Sequence, residues 1–214
     1  MLDATLFWCA YVLAYALLAG RWSNDTQPKP QHSQFYLYLN VGVIGPTMAL
    51  LFLFYGARPN GTDSFLSQGL AAVLAVLLYD AFFWALHLLC HTSSFLYVHV
   101  HAWHHRWTRT SHGQSALDCH PLEMICVDMA PFLLALYLTG VETWLATLML
   151  AVGSVMTQWT HATLDSSHDC HHAHRTCGFG TMWFFDWLAG TKCNAATCGR
   201  RMKQLVENER RGGH

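Results

Sequence analysis

Long, mainly apolar runs alternate with short polar segments along the chain. The four runs are Ala4–Gly20, Phe35–Tyr55, Leu70–Cys90 and Leu122–Trp159. A helix rises about 1.5 Å per residue, and about 20 apolar residues cross the hydrocarbon core of a bilayer. We therefore expect membrane-spanning helices. The first run is interpreted as a retained span rather than a signal peptide, because the residues before it include an acid and no Lys or Arg.

The last apolar run is too long for one span and is interrupted at Thr139 and Gly140, which predicts two helices joined by a tight hairpin. A hairpin returns the chain to the side of the membrane that it left, so residues 91–121 share a side with everything after Thr160. Basic residues from Lys192 onward predict that this side is cytoplasmic. The sequence therefore predicts an all-α, polytopic membrane protein with about four to five apolar helices and a cytoplasmic, His-rich helical cap.

Composition agrees with a membrane protein and excludes several functions. Hydrophobic residues make up 53% of the chain and charged residues only 12%, against roughly 25% charged residues in an average soluble domain. The net charge of -1 gives no basic field for nucleic acid, so a nucleic-acid partner is not expected. The 8 cysteines form no CxxC pair, and we interpret them as mostly reduced packing residues.

The 15 histidines cluster at the predicted cytoplasmic side. One cluster places two histidines four residues apart at the end of the third apolar run, and two further clusters have the spacing HxxHH. Rings at positions i, i+3 and i+4 share one face of a helix, so two or three nitrogens from one turn can converge on a metal. Two more histidines lie at the two ends of the predicted hairpin. The ten candidate ligands are His87, His91, His101, His104, His105, His120, His161, His168, His171 and His172.

The number of histidines says more about the metal than their type does. Imidazole nitrogen binds iron, zinc and copper, whereas ten nitrogens exceed the needs of one four-coordinate zinc ion. Two ions with about five ligands each is the simplest partition. Neither the HExxH motif of zinc peptidases nor the Glu-x-x-His motif of soluble di-iron bundles occurs. Asp80, Asp165 and Asp169 are equally compatible with accepting hydrogen bonds from ligand rings and with being interfacial charges.

Other motifs accompany these histidines. Asp80 begins the sequence DAFFW ahead of the first cluster, His120 begins an His-Pro-x-Glu element, and Asp186 precedes Gly190 and Thr191. Together with the histidine clusters they resemble the fatty acid hydroxylase superfamily of integral-membrane di-iron enzymes, which includes sterol desaturases and methylsterol oxidases. The resemblance covers about half of the chain. Leu88 and Gly178 depart from the family's common Arg and Asn at the corresponding positions.

The resemblance implies a single membrane domain over residues 1–214. Residues 1–79 would hold the transmembrane anchor helices, residues 80–191 the catalytic histidine region and residues 192–214 a cytoplasmic tail. It also implies a non-haem oxidoreductase in which two iron ions, held by the ten histidines, use O₂ to hydroxylate or desaturate an unactivated C–H bond of a lipid.

Substrate and partners are less sharply defined by the resemblance. The His-Pro-x-Glu element favours a sterol, and a fatty-acyl or sphingoid-base substrate is the alternative. The alternative from another class of function is a metal- or sterol-binding membrane protein without catalysis. A transporter fits less well because its ligands should lie near the bilayer midplane. No haem- or flavin-binding motif is evident, so we expect electrons from NAD(P)H through a separate donor such as cytochrome b5 with its reductase, at the endoplasmic reticulum of a eukaryote.

Overall fold

The computed structural model describes residues 35–107, 113–162, 167–182, 184–194, 196 and 198–199. Within these ranges the regular secondary structure is helical and contains no β-strand, in agreement with the predicted fold class. The described helices are α1 (Phe35–Tyr55), α2 (Phe65–Thr92), α3 (Ser94–His99), α4 (Pro121–Thr139), α5 (Thr143–Ala162), α6 (Ser167–His174) and α7 (Phe184–Leu188).

Short irregular helices complete this framework. A 3₁₀ turn, His101–Arg106, follows α3, and a second one, Gly113–Ala116, precedes α4. Both α1 and α4 contain a π-helical stretch, at Asn40–Ile44 and Met124–Met129 respectively. The 3₁₀ turn after α3 carries the second predicted histidine cluster, so this cluster lies outside the long helices.

Three described helices, α1, α2 and α4, are long and apolar enough to cross a membrane. Their outward faces are apolar as well, since Leu51 on α1, Leu70 on α2 and Leu138 on α4 all have exposed side chains. Exposed apolar surface on a long helix is stable against lipid rather than water. The chain is therefore an integral membrane protein. The predicted span at residues 4–20 lies outside the described residues, and α5 remains only a predicted span.

The predicted hairpin is confirmed. Helix α4 ends at Thr139, and Gly140 takes the left-handed conformation with φ of 67°. Its N–H donates to the carbonyls of Leu136 and Tyr137, which satisfies acceptors at the end of the helix. Helix α5 then begins at Thr143, so α4 and α5 run in opposite directions.

The hairpin packs against the loop between α1 and α2. The carboxylate of Glu142 accepts hydrogen bonds from the backbone N–H groups of Gly61, Thr62 and Asp63, at 2.9, 2.7 and 2.8 Å. The side-chain amide oxygen of Gln68 accepts from the N–H of Glu142 at 2.8 Å. These bonds fasten the amino-terminal end of α2 to the hairpin.

Helix α2 sets the distance between this hairpin and the histidines. It has 28 residues and therefore spans roughly 42 Å at about 1.5 Å per residue. His87 and His91 lie in its last turns, whereas the contacts with Glu142 involve its first turn. The core between the two ends is apolar and includes the fully buried residues Ala75, Leu136 and Ala146. The packing of α2 against α4 thus holds the histidine end of α2 in a fixed place.

Four of the cysteines depart from the expectation of mostly reduced packing residues. The structure joins Cys170 to Cys198 and Cys177 to Cys193 as disulfides, which draws the carboxy-terminal segment onto α6. Cys90 and Cys119 are buried and unpaired, as expected. The spacing of these cysteines does not reveal the pairing, because residues far apart in sequence meet beside α6 only in the folded chain.

Candidate metal centre

Nine of the ten predicted ligand histidines converge at the end of α2. They come from four places in the chain: the end of α2, the 3₁₀ turn after α3, the end of α5 and helix α6. Their ring nitrogens form two groups, and within each group the candidate ligand atoms lie within 4.8 Å of one another. The first group is His87, His91, His101, His105 and His171, and the second is His104, His161, His168 and His172.

Each HxxHH cluster is divided between the two groups. The i and i+4 residues of the 3₁₀ turn, His101 and His105, belong to the five-histidine group, whereas His104 between them belongs to the four-histidine group. In α6 the division is reversed, since His168 and His172 share the four-histidine group. Each cluster therefore joins the two groups.

The Nε2 atoms of these rings face one another at short distances. Nε2 of His101 lies 3.1 Å from Nε2 of His87 and 2.9 Å from Nε2 of His91. In the second group, Nε2 of His172 lies 3.1 Å from Nε2 of both His104 and His168. Two nitrogens bound to one ion at about 2.1 Å and at right angles would be separated by about 3.0 Å.

Backbone carbonyls fix the tautomer of several rings. Nδ1 of His87 lies 2.8 Å from the carbonyl oxygen of Phe179, and Nδ1 of His172 lies 2.7 Å from that of Trp107. His171 makes the same kind of contact with the carbonyl of Cys177 at 2.8 Å. A carbonyl oxygen only accepts hydrogen bonds, so Nδ1 carries the proton in the neutral ring and the Nε2 lone pair points into the group.

Glu123 provides a further contact of this kind. Its Oε1 lies 2.8 Å from Nδ1 of His101, and both side chains are buried. A carboxylate that accepts from a ligand ring orients it and raises its basicity. Glu123 was recognised only as part of the His-Pro-x-Glu element, and its contact with His101 was not predicted.

The structure does not bring His120, the remaining predicted ligand, into either group. Its Nδ1 accepts a hydrogen bond from the N–H of Leu122 at 3.2 Å, and its ring packs against Tyr36 with the centroids 5.3 Å apart. His120 thus caps the amino-terminal end of α4, where Pro121 occupies the first helical position.

The acidic candidates have different surroundings. The buried carboxylate of Asp80 accepts from the N–H of Met182 at 2.7 Å and from the hydroxyl of Thr181 at 3.1 Å, so it orders the segment after α6 rather than a histidine ring. Asp169 is buried beside the histidines of α6. Asp165 lies outside the described residues.

Asp186 is a supporting residue that the sequence analysis did not single out as part of the site. It is buried and accepts from the N–H groups of Phe179 and Gly180, at 2.9 and 2.8 Å, and from the hydroxyl of Thr191 at 2.7 Å. Because the carbonyl of Phe179 contacts His87, Asp186 indirectly positions a predicted ligand. Its place in the Asp-x-x-x-Gly-Thr motif was the only sequence signal.

Burial lowers the pKa of the candidate ligand rings that lie outside the membrane-spanning helices. The pKa of His101, His104 and His105 is lowered well below the usual value, first by burial and then by neighbouring rings that would also be charged. The pKa of His171 and His172 is lowered well below the usual value for the same reasons. Neutral imidazole is the form that binds a metal, so the site is prepared for cations near neutral pH.

This arrangement of helices and histidines agrees with the comparison with protein families. The family model for fatty acid hydroxylase matches residues 72–191, which is more than half of the chain and includes all nine converging histidines. The chain belongs to the fatty acid hydroxylase family.

Two curated relatives are similar over part of their length. Sphinganine C4-monooxygenase 2 of Arabidopsis thaliana is 26% identical over 114 residues, which cover 47% of this chain and 44% of the relative. Fatty acid hydroxylase domain-containing protein 2 of Macaca fascicularis is 26% identical over 129 residues, covering 57% of this chain and 38% of the relative. The chain thus matches less than half the length of each relative. No solved structure matches it significantly.

Proposed function

We propose that the two histidine groups each hold one iron ion and that the protein is an O₂-dependent membrane lipid hydroxylase. The observation that carries the proposal is the set of facing Nε2 atoms. The lone pairs of His87 and His101 face each other at 3.1 Å, while the Nδ1 atoms of both rings are engaged elsewhere. Two such lone pairs repel each other unless a cation lies between them. The donor set therefore fits a pair of metal ions.

Imidazole alone is compatible with several metals, and family membership favours iron. When bound, the di-iron pair would supply the oxidising power for attack on a C–H bond through O₂. The protein's own part is to orient the ligands: Glu123 positions His101, the Phe179 carbonyl positions His87, and the Trp107 carbonyl positions His172. Burial of the rings also excludes water from the reactive centre.

A long-chain lipid is the substrate class that we propose, with a sphingoid base or fatty-acyl chain as the first candidate. The relative named sphinganine C4-monooxygenase supports this choice. A sterol, which the His-Pro-x-Glu element favoured, is the second candidate. In the structure, Glu123 of that element contacts His101 and His120 caps α4, so both residues have a role that does not depend on a sterol.

We propose further that the histidine end of α2 faces the cytoplasm, at the endoplasmic reticulum in a eukaryotic host. Electrons would come from NAD(P)H through a separate cytochrome b5-type donor and reductase. The positive-inside rule supports this orientation, since the basic residues after residue 191 follow the histidine region directly.

Lipid analysis of a eukaryotic host expressing the protein tests the activity. Sphingoid bases, fatty acids and sterols would be compared by mass spectrometry with and without ¹⁸O₂. The proposal expects one lipid class to gain one ¹⁸O atom, with sphingoid bases or acyl chains separating the first candidate from sterols. His104→Ala removes a ligand from the four-histidine group and should abolish the product.

The matched control is His99→Ala, because His99 is exposed on α3 and belongs to neither group. It should retain the product at the level of the unaltered protein. An iron-loaded protein that gives no labelled lipid in a host supplying electrons would overturn catalysis and favour a binding function. Equal product from His104→Ala and the unaltered protein would overturn the assignment of the ligands.

A further inference from the structure

A second set of metal-ligand side chains lies beside α6, outside the two histidine groups. The Sγ atoms of Cys170, Cys177 and Cys193 lie within 4.8 Å of one another. Cys198 Sγ and a ring nitrogen of His174 form an overlapping set with the same Cys170, again within 4.8 Å. Three other cysteine sulfurs and one imidazole thus lie close to the Sγ atom of Cys170.

We propose that in the reduced protein these four cysteines, which the structure pairs as disulfides, form a structural zinc site, with Cys170, Cys177, Cys193 and Cys198 as thiolate ligands. Tetrahedral coordination by four sulfurs at about 2.3 Å requires sulfur atoms about 3.8 Å apart. The sulfurs of each bonded pair would therefore move apart around the ion, and Cys198 would approach Cys177 and Cys193. The proposal rests on the cytoplasmic orientation proposed above, because that compartment keeps thiols reduced and disfavours stable disulfides. It does not depend on the lipid reaction.

His174 gives an independent reason to expect a ligand here. Its Nε2 atom is buried and has no hydrogen-bond partner among the described residues. A buried polar atom without a partner costs free energy, so an unpartnered one points to a missing group. Zinc thiolates accept hydrogen bonds, and the ring lies close to the sulfurs of Cys170 and Cys198. His174 would then donate to a zinc-bound thiolate.

The backbone around the cluster is shaped for close approach. Arg175 and Gly178 both have positive φ, at 61° and 73°, and the turn that they form brings Cys177 back toward α6. A side chain at position 178 would place its Cβ 3.0 Å from Sγ of Cys193. Gly178 is one of the two departures from the family's common residues, and it is the residue that makes room for this sulfur.

The surroundings suit a bound cation in other respects. A cleft of about 270 Å³ lies beside the cluster and is lined by Cys177, Cys198 and His174, which provides a path for the ion. Binding would displace the four thiol protons and leave a zinc tetrathiolate of net charge -2, which the neighbouring cations Arg175 and Lys192 would partly offset. Once the thiol reductants of the cytoplasm have converted both disulfides to thiols, zinc binding itself transfers no electrons.

The site would also support the histidine groups. Cys170 is adjacent to His171, and the carbonyl of Cys177 accepts from Nδ1 of His171. Zinc would tie both residues to the segment around Cys193 and Cys198, so α6 and this segment would move as a unit.

Zinc-edge X-ray absorption of the full-length protein, purified in detergent under anaerobic conditions from a eukaryotic host, tests the proposal. The expected result is about one zinc per chain with a shell of sulfur neighbours at about 2.3 Å. Zinc surrounded only by nitrogen would come from the histidine groups and would overturn the proposal. This measurement needs no variant, so it does not depend on whether a variant folds.

Comparison of Cys193→Ser with the matched control Cys126→Ser tests whether the sulfur neighbours of the zinc come from this cysteine cluster. Cys193 belongs to neither histidine group, and Cys126 is exposed and belongs to no ligand group. Cys193→Ser should lose most of the sulfur-bound zinc and keep its iron, whereas Cys126→Ser should keep both. Gly178→Asn should lose zinc as well, because Asn tolerates positive φ while its Cβ would crowd Cys193.

Thiol labelling in intact cells distinguishes zinc-bound thiolates from disulfides at the four cysteines. Maleimide tagging after denaturation, followed by mass spectrometry, counts free thiols at each cysteine. The proposal expects all four cysteines to be tagged without reductant. Tagging only after reduction would mean that disulfides persist in the cell and would overturn the zinc site, while leaving the lipid hydroxylase proposal untouched.

Discussion

Oε1 of Glu123 lies 2.8 Å from Nδ1 of His101, and both residues are buried within the histidine end of the protein. The two residues come from different parts of the chain, since His101 belongs to the 3₁₀ turn and Glu123 to the start of α4. The contact therefore couples the order of a predicted metal ligand to the position of a membrane-spanning helix.

Glu123→Ala should weaken metal binding in the five-histidine group. The variant leaves Nδ1 of His101 without its acceptor, and loss of such a partner typically reduces metal affinity about 10–100-fold. Iron titration of the purified apoprotein would measure the change. Glu142→Gln is the control, because this buried carboxylate lies at the opposite end of α2 and should leave iron affinity unchanged. Equal affinities of the Glu123→Ala and unaltered proteins would contradict the proposed role.

Asp186→Ala should also weaken metal binding in the five-histidine group, because Asp186 holds the backbone segment that contacts His87. The variant removes the acceptor for the N–H groups of Phe179 and Gly180, which frees the carbonyl that orients His87. We expect iron affinity to fall about 10-fold or more. The Trp187→Ala variant is the control, since this neighbouring side chain is exposed. Iron titration showing the same affinity for both variants would be evidence against indirect positioning of His87.

Gly180→Ala tests the space between two buried carboxylates. A Cβ at position 180 would lie 2.9 Å from Oδ1 of Asp80 and 3.1 Å from Oδ2 of Asp186. We expect a loss of stability of about 1–3 kcal/mol, as for other overpacked sites, measured as a lower thermal midpoint in detergent. Gly69→Ala is the matched control, because nothing lies within 4 Å of its Cβ and helical Ala gains about 0.5–1 kcal/mol over Gly. A Gly180→Ala midpoint equal to that of Gly69→Ala would refute this crowding.

The helical framework could be predicted from sequence because it follows from local patterns. The apolar run Phe35–Tyr55 coincides with α1, and Thr139–Gly140 marks the hairpin. Eight of the nine converging histidines were candidates because of their spacing in clusters, and His161 was a candidate because it lies at one end of the hairpin. Their division into two groups could not be predicted, because it depends on how α6 packs against the 3₁₀ turn after α3.

The supporting residues were harder to predict for the same physical reason. Asp186 reaches His87 through Phe179, and the contact between Phe179 and His87 spans 92 positions of sequence. His120 has the residue type and location of a ligand, yet its Nδ1 is used to cap α4. Residue type defines what a side chain can bind, whereas tertiary packing decides which of its possible partners it meets.

The two histidine groups should differ in their tolerance to the loss of one ring. His91→Ala leaves four histidines in the first group, whereas His168→Ala leaves three in the second. Both rings are half-buried, so the substitutions are matched in burial. We expect His168→Ala to lose about one iron per chain and His91→Ala to lose less. Iron-to-protein ratios after the same dialysis would measure this, and a greater loss from His91→Ala would contradict the assignment of ligands.

Glu142 should make stability depend on pH at the end of the protein remote from the histidines. Hydrogen bonds from Gly61, Asp63 and Thr62 outweigh the effect of local burial and lower its pKa from 4.5 to about 2. The loop of Gly61, Thr62 and Asp63 shields this carboxylate from solvent, although it lies near the surface of the protein and not in the apolar core. Because the folded state binds the proton more weakly than the unfolded state, the stabilisation is complete well above the unfolded pKa. It decreases as the pH falls from about 4.5 toward about 2.

Comparison with Glu142→Gln isolates this contribution. The Gln side chain keeps one acceptor oxygen but turns an amide NH₂ toward backbone N–H donors, so the variant should unfold at a lower temperature near pH 7. Thermal midpoints of both proteins in the same detergent, measured between pH 7 and pH 3, should converge as the pH falls through the window set by Glu142. A difference that stays constant over this range would show that the hydrogen bonds to the loop do not lower the pKa of Glu142. The histidines titrate alike in both proteins, so their effect cancels in the difference.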